Sequence, residues 1–173
     1  MERQTIENIL NFLKEKEGQK IPYEWVDSKE KFKLIEELEN YPDGTQYRYN
    51  DYLYLWGMQI KKLPNNLHVS GFLDLSYSNI PKLPDKLYVR GYFNLDGCKQ
   101  ITELPNSLYV GGDLVLHGTN ITELPNNLYV GIDLYIGNTP LGDKYTDEEI
   151  IKIVESTRGQ IEGEIIRQWK DKQ

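Results

Sequence analysis

The chain has 173 residues, a formal net charge of −7 and a single cysteine, Cys98. This is one domain's worth of chain; the acidic balance argues against direct binding of nucleic acid through its phosphates, and a lone cysteine leaves no intramolecular disulfide and fits a reducing compartment. No stretch approaches the roughly 20 consecutive apolar residues of a membrane span, and Met1 to Thr5 lack the charged-then-apolar order of a signal peptide, so no membrane association is expected and the expected location is the cytoplasm, of the producing cell or of a host cell after delivery.

The amino-terminal flank reads as helix. Ile6, Ile9, Leu10 and Leu13 recur at three and four, ending before Gly18. A second helix starts at Asp27 or Ser28, presents Phe32, Leu34, Ile35 and Leu38, and stops at Pro42. Tyr47 and Tyr49 then open a half-coil, standing where Leu67 and Val69 stand one coil later.

From there one phrase governs the chain. Leu63-Pro64-Asn65-Asn66-Leu67-His68-Val69 recurs from Leu83, Leu104 and Leu124, at steps of 20, 21 and 20 residues. A period of this length predicts a solenoid, in which each coil stacks on the next. After each phrase come two apolar residues one position apart: Leu53/Leu55, Leu73/Leu75, Phe93/Leu95, Leu114/Leu116 and Leu134/Ile136. That alternation puts each pair on the inner face of a strand, with strands expected at 72–76, 92–96 and 113–117. Next come Met58, Ser78, Cys98, Thr119 or Thr139, and then Ile60, Ile80, Ile101, Ile121 or Leu141. The longer step is a single insertion at Lys99-Gln100.

Beyond the repeats, Thr146 and Glu149 form a capping box. Ile150, Ile151, Val154, Ile161, Ile165 and Trp169 continue as a helical stripe, with Gly159 and Gly163 as its points of breakage. An open stack needs a cap at each end. The expected organisation is therefore a helical cap over 1–46, repeats over 47–141 (a half-coil and five coils, the last partial) and a second helical cap over 142–173.

Over about residues 47–141 the phasing resembles the leucine-rich repeat. The Leu-Pro phrase and the short coil are similar to those of bacterial effector proteins and of uncharacterised bacterial and phage proteins. The resemblance implies an α/β solenoid with one parallel sheet on its concave face and helical caps at both ends. One departure is that Met, Ser, Cys or Thr stands where such repeats usually carry asparagine. Met58 cannot satisfy a buried turn, which predicts an irregular first coil.

The residues flanking each inward pair point to the outer side of the sheet, and they are the candidate binding set. They comprise Tyr52, Tyr54, Trp56, Phe72, Asp74, Tyr92, Asn94, Asp96, Asp113, His117, Asp133 and Tyr135. Aromatics among polar neighbours without lysine have the composition of an interface core, and the acids beside them are expected to be unpaired. Packing of these rings against the amino-terminal helices is the alternative. Charge is polarised along the repeats: Lys62 and Lys82 give way to Glu103 and Glu123 before the leading leucine, and Asp113 and Asp133 sit on the strands. An acidic strip can steer a protein partner with a basic patch.

Catalysis is not expected, and neither a metal nor a cofactor is implied. His68 and His117 lie in different coils, no Cys/His cluster has zinc spacing, and no phosphate-binding loop or dinucleotide fingerprint is present. Some effector relatives carry a carboxy-terminal ubiquitin-ligase domain with a reactive cysteine; no Cys follows residue 98 here, so that activity is not implied. Cys98 sits at a buried repeat position and reads as a structural thiol. The expected function is that of a non-enzymatic protein-binding module, of the effector or phage type, acting on a host protein. The alternatives are an acidic inhibitor that imitates nucleic acid on a host enzyme, and a glycan binder using Tyr and Trp rings.

Overall fold

The computed structural model describes residues 28–42 and 45–168. Two compact units make up the chain, residues 1–34 and 35–173, and the repeats lie in the second. The helix expected from Ile6 to Leu13 falls outside the described residues, as does Trp169.

Helix α1 spans Ser28–Asn40. In its last turns Ile35 and Leu38 are buried, and Glu37 accepts a 2.8 Å hydrogen bond from the Tyr47 hydroxyl, which ties helix to first strand. Each coil then contributes two short strands. One set is β1 (Tyr47–Tyr49), β3 (Leu67–Val69), β5 (Tyr88–Val89), β7 (Tyr109–Val110) and β9 (Tyr129–Val130). The other is β2 (Leu53–Tyr54), β4 (Leu73–Asp74), β6 (Phe93–Asn94), β8 (Leu114–Val115) and β10 (Leu134–Tyr135). Helices α2 (Pro140–Lys144) and α3 (Asp147–Ser156) follow, then β11 (Gln160–Ile161) and β12 (Ile165–Ile166).

The strands form two sheets, and every pairing is parallel. The first runs β1-β3-β5-β7-β9-β11 and the second β2-β4-β6-β8-β10-β12. The fold is thus a repeat solenoid of stacked parallel sheets. The resemblance implied one sheet; the residues of the Leu-Pro phrase make a second. Physically this follows from Leu67/Val69 and their equivalents, which alternate in and out just as Leu73/Leu75 do.

The interior is a set of apolar columns. Leu53, Leu73, Phe93, Leu114 and Leu134 are all fully buried, as are Leu75, Leu95, Leu116 and Ile136 beside them. Leu67, Leu87, Leu108 and Leu128 form a further buried column, and Val69, Val89, Val110 and Val130 another. The backbone ladder continues past the two-residue strands, with Leu73, Leu75 and Tyr77 N–H donating to Tyr92, Asn94 and Asp96 carbonyls at 2.8–2.9 Å.

The turn after each second-sheet strand explains the small polar residues. The Thr119 and Thr139 hydroxyls donate to Leu116 and Ile136 carbonyls at 2.6 Å, and the Cys98 thiol donates to the Leu75 carbonyl at 2.9 Å. The first coil is not irregular. Met58 N–H bonds the Leu55 carbonyl at 3.2 Å, as Ser78 N–H bonds that of Leu75 at 2.9 Å, so backbone geometry carries the turn where the side chain cannot.

At the corner between the two strands of a coil, the stacked backbones approach closely. A Cβ on Gly112 would lie 2.9 Å from the carbonyl carbon of Gly91, nearer than side chains tolerate. The V-x-G spelling of Val89-Arg90-Gly91 has this cause.

The carboxy-terminal flank departs from the helical stripe. The capping box forms as expected, with Thr146 Oγ1 accepting from Glu149 N–H at 3.3 Å and Glu149 Oε2 accepting from Thr146 N–H at 2.9 Å. Helix α3 ends at Ser156, however, and Ile161 and Ile165 lie on strands. Gln160 pairs with Tyr129 and Ile165 with Leu134, so this segment is a further coil whose step is 31 residues, the two helices filling the excess. Arg167 closes it: its guanidinium donates to Asp147 at 2.8 Å, to the Tyr145 carbonyl at 2.6 Å and to the Gly142 carbonyl. The helical propensity of residues 157–168 loses to the unpaired edges of β9 and β10, which these residues satisfy.

Candidate partner-binding face

All twelve candidate residues fall on the outer side of the second sheet, in three rows set by its register. Tyr52, Phe72, Tyr92, Asp113 and Asp133 precede the inward pairs. Tyr54, Asp74, Asn94, Val115 and Tyr135 align across the sheet between the pairs. Trp56, Ser76, Asp96, His117 and Gly137 follow them. Parallel pairing at roughly 4.8 Å between strands holds each row rigid.

The first row begins with aromatics in contact. Tyr52 and Phe72 have ring centroids 4.6 Å apart, and Phe72 and Tyr92 are 6.0 Å apart and nearly perpendicular. Burial raises the Tyr92 phenol above its ordinary value, and the carboxylates of Asp74, Asp113 and Asp96 add to the rise. Openness is uneven. Tyr54 and Trp56 are exposed, the other ten are half-buried, and Val115 and Ser76 between them are buried.

The expectation that the acids are unpaired needs correction. Asp74 Oδ1 accepts from Ser76 N–H and from the Ser76 hydroxyl at 2.9 and 2.6 Å. Asp113 accepts from the Asp133 N–H at 3.0 Å, and Asp133 from the Glu164 N–H at 2.9 Å. Asp96 Oδ1 lies 2.7 Å from His117 Nδ1, and His117 Nε2 lies 2.9 Å from Asn138 Nδ2. These carboxylates satisfy polar groups of their own turn or of the next coil. Asn94 does the same without charge, accepting from Asp96 N–H at 2.9 Å. The ladder before the leading leucine is a simple surface pair, Lys82 to Glu103 at 3.6 Å with both side chains exposed, which contributes little to stability.

The first sheet carries a feature the residue pattern did not disclose. His68, Tyr88, Tyr109 and Tyr129 stack face to face with centroids 4.2, 4.4 and 4.7 Å apart and interplanar angles of 18°, 3° and 9°. The signal was present as the residue between Leu and Val in each phrase, but it needed the second strand to become a column. The rings cover one another's faces, and the Tyr129 hydroxyl donates to Glu162 at 3.4 Å.

Among the described residues, no group of three or more His, Cys, Asp and Glu is placed to hold a metal ion. Cys98 is buried, and desolvation pushes its thiol up, away from the reactive thiolate. No helix among the described residues is long and apolar enough to cross a membrane. Comparison with protein-family models, with curated proteins and with solved structures finds no match.

Proposed function

We propose that this chain is a non-enzymatic protein-binding module of leucine-rich-repeat type, an effector or phage protein that docks on a basic patch of a host protein. The observation that carries the reading is the outer side of the second sheet. Its side chains differ from coil to coil while the backbone beneath them repeats. Five of the aromatic residues lie in the first three coils, acids run from Asp74 in the second coil to Asp133 in the last, and no lysine or arginine stands in the three rows.

Binding energy then concentrates at the open end of the face, on Tyr54 and Trp56, which are 37% and 50% exposed. Interface energy gathers in a few such anchors, each worth about 2 kcal/mol or more on truncation. The test is titration of wild type and Trp56→Ala against the partner isolated from the host, at matched circular dichroism. The expected loss is about thirtyfold; equal affinity moves the site elsewhere.

The acidic-inhibitor alternative has one observation in its favour: Asp113, Asp133 and Glu164 align in successive coils, one carboxylate per strand. On that reading Asp113→Asn would weaken binding more than Trp56→Ala does. Asparagine keeps the Oδ1 acceptor, so this variant removes charge without removing the inter-coil hydrogen bond.

A further inference from the structure

The turn after each second-sheet strand from β2 to β10 contains one residue in the left-handed region. In four coils it is Gly57, Gly97, Gly118 or Asn138, residue types that adopt this backbone readily. In the remaining coil it is Tyr77, at φ 55°. A bulky side chain there is strained, and its ring does not gain burial in exchange, being 60% exposed. The strained backbone sets the ring flat over the next coil. A Cβ on Gly97 would meet Tyr77 Cε1 at 2.6 Å, which places the ring directly over that glycine.

What this placement achieves is a corner. Tyr77 stands 6.5 Å from Trp56, centroid to centroid, with the two rings at 72°. Both rings are at least half exposed. Asp96 lies against the Tyr77 hydroxyl and raises that phenol above its ordinary value. The surrounding rows offer Asp74 and Asp96 and no lysine or arginine, and the Asp96 Oδ1 also lies 2.7 Å from His117 Nδ1. Two ring walls at a steep angle, with a carboxylate beside them, match a planar or tetrahedral cation, which is attracted to ring faces within about 6 Å. A guanidinium also stacks on rings and presents a fork of donors to a carboxylate.

We propose that the Trp56–Tyr77 corner is a recess for one arginine side chain of the partner, walled by the two rings and closed by the Asp96 carboxylate. This rests on the docking reading above and names its anchoring contact. It also accounts for a tyrosine at a position where glycine would fold with less strain.

The test uses the full chain and a defined probe, the capped tripeptide Ac-Gly-Arg-Gly-amide, with its citrulline isostere as the neutral control. Binding is followed by the Trp56 indole N–H resonance in two-dimensional NMR. Wild type should show a saturable shift with the arginine peptide and a response about tenfold weaker with citrulline. Tyr77→Gly should melt no earlier than wild type and should weaken the arginine response about tenfold. Equal responses to arginine and citrulline in wild type, or no saturable arginine response, overturn the proposal without requiring any variant to fold. An unchanged arginine response in folded Tyr77→Gly overturns it as well. If the peptide binds as expected while the host partner binds Trp56→Ala as tightly as wild type, the recess stands and the docking reading falls.

Discussion

The two sheets are built from the same repeat, yet their outer sides behave differently. On the first sheet one residue type recurs, and Tyr88, Tyr109 and Tyr129 cover each other's faces along the stack. On the second, the aligned position changes from Tyr54 to Asp74, Asn94, Val115 and Tyr135. A repeated ring stacks on its own copies, so it holds coils together. A varied row forms no such continuous column, and on the proposed reading its mixture of rings and acids meets a partner of matching shape and charge. Ring stacking thus adds cohesion on the first sheet, ring pairs and carboxylate hydrogen bonds add it on the second, and on the proposed reading recognition falls to the second, over a core that both share.

Three substitutions probe this division. Leu114→Ala strikes the shared core, where the side chain is fully buried. It should lower stability by about 2–5 kcal/mol in denaturant titration, as other large-to-small core changes do; a loss below about 1 kcal/mol would mean that the column is not continuous. Tyr109→Ala strikes the first sheet's outer side and removes two ring contacts, at 4.4 and 4.7 Å. Each such pair contributes about 0.5–1.5 kcal/mol, so the variant should be about 1–3 kcal/mol less stable. A neutral result would make the ladder ornament rather than glue.

The smallest effect is a pH dependence on the second sheet. Burial and three carboxylates hold the Tyr92 phenol above its ordinary value of 10.0. An unfolded chain ionises near that value while the folded chain keeps its proton, so the folded state binds more protons above about pH 10. Stability from this group is therefore complete below about pH 10 and falls as pH rises toward the folded value. Tyr92→Phe cannot ionise, and its melting temperature should decline less steeply than that of wild type between about pH 9.5 and 11. Parallel declines would show that Tyr92 is open to water.

Much of this architecture is legible in the residue pattern. Coil length, the inward leucines, the parallel pairing and the capping box at Thr146 all follow from spacing, because burial imposes a strict period. The first sheet is harder to see. Leu-Tyr-Val is too short to register as a strand, and only stacking of the copies turns it into a sheet. The last coil is hidden for another reason. Gly159 and Gly163 read as helix breaks, whereas Gly163 occupies the coil corner, where a Cβ would meet the Ile132 carbonyl oxygen at 2.5 Å. Ile161-Glu162-Gly163 is the same V-x-G spelling, displaced by two helices from its expected phase. The candidate residues come together on one face because period 2 dictates it. Their unequal exposure and the hydrogen bonds of Asp74, Asp113 and Asp133 depend on neighbours 20 or 31 residues away or on turn geometry, and composition carries no trace of either. The strained Tyr77 is equally invisible, since left-handed backbone is announced by Gly or Asn and not by tyrosine.

One paired measurement decides the division of labour between the sheets. Trp56→Ala and Tyr109→Ala are each assayed for unfolding free energy and for affinity toward the proposed partner, at a temperature where both are folded. We expect Trp56→Ala to lose about thirtyfold in affinity with stability changed by less than about 1 kcal/mol, and Tyr109→Ala to do the reverse. Loss of affinity in Tyr109→Ala, with Trp56→Ala binding as wild type, would refute the division and place recognition on the first sheet.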